Sequence, residues 1–277
     1  MFPRIIITVI CAFILAAPFA LGQQAKTGNA QLGKPQPPPV EALPDQTKLD
    51  PYLERWEKET KNLRTLDITC ERTRTSAVLG KGEILDVCSG SIKFMKVEDR
   101  NGPVVLASMT LQKRDGKATD FERIVFSGNF VYVFQPREKT VLYYDVAPPK
   151  AGKASDDSFM PFLSGMKAAD AKKRYEIKLT KENDDFIYLE VMPRQQKDKA
   201  DFVRAQIVFE RKTFLPKRVW YAEANRDTTT FLLTKIEKDK QVNRKEFERP
   251  ELPGKDWKFK KVDRTEDQPP RIARPQK

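Results

Sequence analysis

Histidine is absent from the 277 residues. That absence removes the commonest general base, every Ser-His-Asp or Cys-His arrangement, and the commonest zinc ligand. Glycine is sparse and scattered: Gly128 stands alone, and no phosphate-cradling loop or dinucleotide fingerprint occurs. The adjacent carboxylates Asp156-Asp157 and Asp184-Asp185 fall in polar turns, where aspartate is common for its local hydrogen bonds. A catalytic carboxylate pair comes instead from separate segments that converge on a cleft. The chain is therefore expected to be neither an enzyme nor the holder of a cofactor or metal. Long apolar runs are missing too. Beyond Leu21 no segment reaches the roughly 18 apolar residues of a membrane-spanning helix, so the rest of the chain reads as soluble.

The first 22 residues read as a secretory signal peptide. Arg4 supplies the positive start, Ile5 to Leu21 are almost continuously apolar, and Ala20-Leu21-Gly22 places small residues before a cut at Gln23. The rival reading is an uncleaved anchor, which Pro18 interrupts and whose length sits at the lower limit for a bilayer. Cleavage removes Cys11 and leaves Cys70 and Cys88 in a compartment that oxidises thiols. The two flank the turn Leu79-Gly80-Lys81-Gly82, and a hairpin centred there sets them opposite each other as a candidate disulfide. Two buried free thiols are the other reading, because a small register shift separates them. The formal charge of +12 is spread along the chain and favours acidic partners. Nucleic acid is not among those expected, since no recognition motif accompanies the charge. Anionic headgroups or acidic cell-surface polymers fit an exported, envelope-associated protein.

Residues 23–48 carry Pro35-Gln36-Pro37-Pro38-Pro39 with few large apolar side chains, and read as a disordered tether. Residues 262–277, with Pro269, Pro270 and Pro275, read as a disordered polar tail. Between them, residues 49–261 fit one domain. A helix opens it: Asp50 is the expected N-cap, Pro51 suits the first position, and Leu53, Trp56 and Leu63 recur at helical spacing. Period-2 alternation then recurs in about eleven segments: 66–74, 91–97, 104–111, 123–126, 130–134, 141–146, 175–179, 186–192, 205–209, 218–222 and 229–236. Short polar turns between them imply hairpins and an antiparallel sheet. One stretch interrupts the strands, where Phe159 to Met166 leads into the Ala- and Lys-rich run 167–174 of a second, short helix. The expected fold is mainly β: a curved antiparallel sheet, or half-open barrel, covered on its concave side by both helices.

In this order the elements resemble the LolA-like family of periplasmic lipoprotein carriers. The most specific stretch is Ser127 to Pro136, similar to the family's Gly-x-x-aromatic-x-Tyr-x-Pro strand. Phe159-Met160-Pro161-Phe162-Leu163 falls where the family has its lid-like helix, and Phe247-Glu248-Arg249-Pro250 resembles its final Phe-x-x-Pro element. Where carriers have an Arg-Pro pair, Phe94 to Pro103 stands instead, with Arg100 as the lid-closing counterpart. The resemblance implies a periplasmic or envelope carrier of acylated lipoprotein or lipid with transient membrane or envelope-protein partners. Acyl chains would then lie against Trp56, Phe94, Tyr132, Phe134, Phe159, Phe162 and Met166. Each of these is also an ordinary core residue on the alternative reading. A second functional class stays open beside the carrier: an interaction platform with a filled core, docking acidic polymers or another protein through a basic face.

Overall fold

The computed structural model describes residues 43–78, 82–99, 102–118, 120–145, 162–163, 165–196 and 198–262. The expected signal peptide, most of the linker, Arg100, Phe159 and the tail beyond Val262 lie outside them. The first helix starts earlier than Asp50. A 3-10 turn, Gln46–Lys48, is capped by Asp45, whose carboxylate accepts from the Thr47 amide at 2.9 Å, and α1 (Leu49–Lys61) follows directly. Asp50 thus sits inside the first turn, where its charge still meets the positive end of the helix. Leu53, Trp56 and Thr60 form the buried stripe.

The eleven alternating segments are all strands of one sheet: β1 (Thr65–Ser76), β2 (Glu83–Asp99), β3 (Gly102–Lys113), β4 (Phe121–Phe126), β5 (Phe130–Gln135), β6 (Thr140–Asp145), β7 (Tyr175–Glu182), β8 (Phe186–Pro193), β9 (Arg204–Glu210), β10 (Pro216–Ala222) and β11 (Thr228–Lys238). A twelfth, β12 (Lys258–Lys261), was not expected, because Lys-Phe-Lys-Lys offers a single apolar residue. The spatial order is β12–β6–β5–β4–β3–β2–β1–β11–β10–β9–β8–β7. Every pairing is antiparallel except that of β12 with β6. The sheet stays open, with β12 and β7 at its two edges. The central β1 divides it into one wing of β2 to β6 with β12 and another of β7 to β11.

α1 lies on what is here called the inner face. Alternate residues of β7 to β11 point up to it, and Ile187, Leu189, Ile207, Phe209, Val219 and Phe231 are buried there with Leu53 and Trp56. The Trp56 and Phe209 rings are 5.3 Å apart. Burying each such side chain is worth about 1.5–3 kcal/mol. The short helix α2 (Ala168–Arg174) and the adjoining Phe162 and Leu163 extend this cover, with Phe162 5.3 Å from Tyr175. Gly165 makes the close approach to α1 feasible. Its φ is +87°, and a Cβ there would stand 1.9 Å from Thr60 Oγ1. The Ala168 amide then donates to Glu57 of α1 at 2.8 Å.

Candidate functional site

Pairing registers lay the inner side chains out in rows across the sheet. One row runs Leu66, Phe94, Ala107, Phe126, Val131, Tyr144; the next runs Ile68, Ile92, Met109, Ile124, Val133, Leu142. Both rows are apolar along most of their length, yet burial changes along them. From β1 to β3 the side chains are buried. On β4 to β6 all six are only partly buried. The inner face of β4 to β6 is thus an apolar surface continuous with the core but not sealed by it. Val105, Ile124 and Phe126 pack against the core from this side.

Charged groups flank this surface. Beyond the next inner row, Cys70, Gly90, Leu111 and Glu122, the buried Arg72 donates to Glu122 Oε1 at 2.7 Å, to Asp86 Oδ1 at 3.2 Å and to Cys88 Sγ at 3.2 Å. Arg74 donates to Asp86 through Nε at 2.8 Å. Burial alone would raise the Asp86 pKa, but Arg74 and Arg72 outweigh it and hold the carboxyl below its ordinary value. Burial would likewise lower the Arg72 pKa, and its bonds and proximity to Glu122, with Cys88 and Asp86 beyond, leave it raised. Two cations and two carboxylates make the cluster self-neutralising, so it closes one end of the apolar surface without seeking a ligand. At the α1 end stands Lys96, which donates to the Thr60 carbonyl at 2.8 Å and has no carboxylate partner among the described residues; burial pushes its pKa down. The helix C-terminus favours a cation there.

The residues expected to hold acyl chains divide three ways. Trp56, Phe94 and Phe162 are sealed within the core, and Met166 is partly buried against it. Tyr132 and Phe134 do not face the concavity. They lie on the outer face in a separate cluster with Val125 and Val141, under the C-terminal segment, with Tyr132 6.3 Å from Phe259 and Phe134 6.0 Å from Trp257. The alternation of β5 is as expected, but its inner side carries Val131 and Val133, and shifting a strand's assignment by one residue exchanges its two faces. The remaining two candidates, Phe159 and Arg100, fall outside the described residues. Sequence reasoning missed Val131, Val133 and Leu142, along with Arg72 and Arg74, which continue the inner alternation of Leu66, Ile68 and Cys70.

The candidate disulfide is also corrected. Cys70 pairs with Gly90 and Cys88 with Arg72, so the thiols share a face but stand diagonally. Diagonal neighbours lie about 7–8 Å apart, which is too far for a bridge without backbone movement. Both cysteines are free and buried. Burial pushes the Cys70 thiol up to about 11 and raises Cys88 as well, which favours the thiol over the reactive thiolate. Among the described residues no group of three His, Cys, Asp or Glu side chains could hold a metal ion. No described helix is long and apolar enough to cross a membrane.

A family model described as outer membrane lipoprotein carrier protein LolA matches residues 90–250. The match runs from within β2 to just past the 3-10 turn Arg244–Phe247 and leaves α1, β1 and β12 outside. No curated protein matches the chain. Among solved structures, the chain is similar to a DUF1329 family protein from Desulfovibrio piger at 15% identity, covering 74% of this chain and 98% of that one, with a TM-score of 0.40. It is similar to a putative outer membrane lipoprotein-sorting protein domain from Vibrio parahaemolyticus at 12% identity, covering 73% and 97%, with a TM-score of 0.34. The third is the Pseudomonas aeruginosa MucA/MucB complex, at 12% identity, 73% and 60% coverage and a TM-score of 0.36.

Proposed function

We infer that this chain, which belongs to the outer membrane lipoprotein carrier protein (LolA) family, is a non-enzymatic carrier of acyl chains, exported to the periplasm or cell envelope by residues 1–22. The cargo is an acylated lipoprotein or a lipid. One observation carries the reading: the inner face of β4 to β6 presents Ile124, Phe126, Val131, Val133 and Leu142 partly exposed, in a continuous patch beside the buried core. Leaving apolar surface wet costs roughly 25 cal/mol per Å², and an acyl chain laid along the two apolar rows removes that cost without any new polar contact.

Native mass spectrometry of the mature protein, purified gently from its own envelope, tests this. Co-purified lipid or acylated polypeptide is the expected result, and Val133→Asp removes it by placing a charge in the middle of the inner row. A ligand-free protein that also ignores added lipid overturns the carrier reading and leaves the interaction platform, for which the filled wing and the net charge of +12 would then be the relevant features.

A further inference from the structure

The edge strand β12 distributes its lysines unequally between the two faces of the sheet. Phe259 packs on the outer cluster against Tyr132 and Tyr143, so Lys261 is outer as well, and it is neutralised by Asp145 at 2.7 Å. Lys139, just before β6, is neutralised by Asp256. Lys258 and Lys260 alternate onto the inner face, where Lys260 is directly opposite Leu142 in the parallel register. Both are exposed, and neither has a carboxylate partner among the described residues. The apolar surface of β4 to β6 is therefore bordered at its open edge by two uncompensated ammonium groups, while the lysines on the other side and in the preceding turn are paired.

We propose that Lys258 and Lys260 select the headgroup, and that the lipid held on this surface is an anionic phospholipid. The proposal rests on the acyl-carrier reading and specifies its ligand. A chain lying over Val133 and Leu142 brings a headgroup at the open edge beside Lys260, with Lys258 one side-chain repeat, about 7 Å, further along the strand. Two ammonium groups at that spacing answer one phosphate and its ester oxygens. Each lysine near an anionic headgroup contributes about tenfold or less in affinity, and screening by salt reduces that. Lysines on an edge strand also discourage pairing with other chains. Polar side chains without charge would keep much of that protection while losing the selection, which makes the two roles separable.

The test uses the full mature chain and two vesicle populations, one of phosphatidylcholine alone and one containing phosphatidylglycerol, with captured lipid counted by native mass spectrometry. Wild type is expected to capture phosphatidylglycerol over phosphatidylcholine by about tenfold. The double substitution Lys258→Gln/Lys260→Gln is expected to abolish that preference while leaving phosphatidylcholine capture and the oligomeric state unchanged. Equal capture of both lipids by wild type, or a preference that survives the double substitution, overturns the headgroup assignment and leaves the acyl reading standing. Capture of neither lipid overturns the headgroup assignment, and it overturns the acyl reading as well where the protein purified from its own envelope is also ligand-free.

Discussion

The two wings of the sheet have the same strand grammar and different fates. β7 to β11 place Ile187, Leu189, Ile207, Phe209 and Val219 inward, and α1 with α2 seals them. β4 to β6 place Ile124, Val133 and Leu142 inward, and none of these is sealed. On the outer side the relation reverses. Tyr132, Phe134 and Val141 are buried beneath Leu252, Trp257 and Phe259, whereas the outer face of β8 to β10 carries Glu190, Gln206 and Trp220 partly exposed. Burial of a strand face is thus decided by which remote segment reaches it. The wing whose aromatics were spent on its outer face is the one left with an open apolar interior.

The sharpest break in this comparison is a pair of truncations. Trp56→Ala empties the filled wing of a side chain only 2% exposed, with an expected cost of about 3–5 kcal/mol. Leu142→Ala, on the open wing, removes partly exposed atoms and is expected to cost less than about 1.5 kcal/mol. Urea denaturation of the two variants measures the difference; equal losses would mean that the open wing is packed as tightly as the other. Next in size is Arg72→Met. It leaves Glu122 without its cation while Asp86 keeps Arg74, so the expected loss is below the roughly 3–5 kcal/mol of breaking a fully buried pair from one side. The partial exposure of Glu122 reduces its share.

Adjacent substitutions on β5 sharpen the contrast further. Val133→Asp is expected to abolish lipid capture while the protein stays folded, with a loss of about 1–2 kcal/mol. Tyr132→Asp buries a carboxylate between Phe130, Tyr143 and Phe259 and is expected to destabilise the wing while any ligand surface remains on the opposite side. Near-ultraviolet circular dichroism and lipid binding, measured together, separate the two. If Tyr132→Asp alone loses the lipid in a fully folded protein, the assignment of faces is inverted.

That inversion marks where the sequence stops being legible. Every alternating segment became a strand, because alternation follows from the pleat itself and needs no tertiary knowledge. Which side of β5 turns inward could not be read from it. Large aromatics look like cavity linings, and only the C-terminal segment at 252–259, remote in sequence, claims Tyr132 and Phe134 for the outside. β12 escaped notice for a related reason: its parallel partner β6 lies more than a hundred residues earlier, and one phenylalanine among lysines carries no period. The cysteines were placed in the right hairpin, but a two-residue offset in register set them diagonally. Arg72 and Arg74 were hidden because charged residues in a strand read as solvent-facing until Asp86 and Glu122 are seen to meet them.

The smallest expected effect concerns what keeps the filled wing filled. Glu182 of β7 accepts from Tyr52 at 2.6 Å and from Arg211 at 2.8 Å, and also pairs with Lys48. Hydrogen bonds from Lys48, Tyr52 and Arg211 hold its pKa at about 2, below the ordinary glutamate value of 4.5. A carboxyl depressed in the folded state contributes stability above its unfolded pKa, and that contribution is lost as pH falls from about 4.5 towards 2. The start of α1 should therefore loosen from β7 across that window, before the apolar packing of Trp56 gives way. Glu182→Gln should show less stabilisation on raising pH from 2 to 5 than wild type does, by under about 1 kcal/mol for a group in contact with solvent. Amide exchange at residues 48–53, followed across the same range, checks whether the change is local to α1. A wild-type exchange profile that does not move would mean that the apolar stripe alone holds the helix, and that the two wings differ only in what packs on them and not in how that packing is latched.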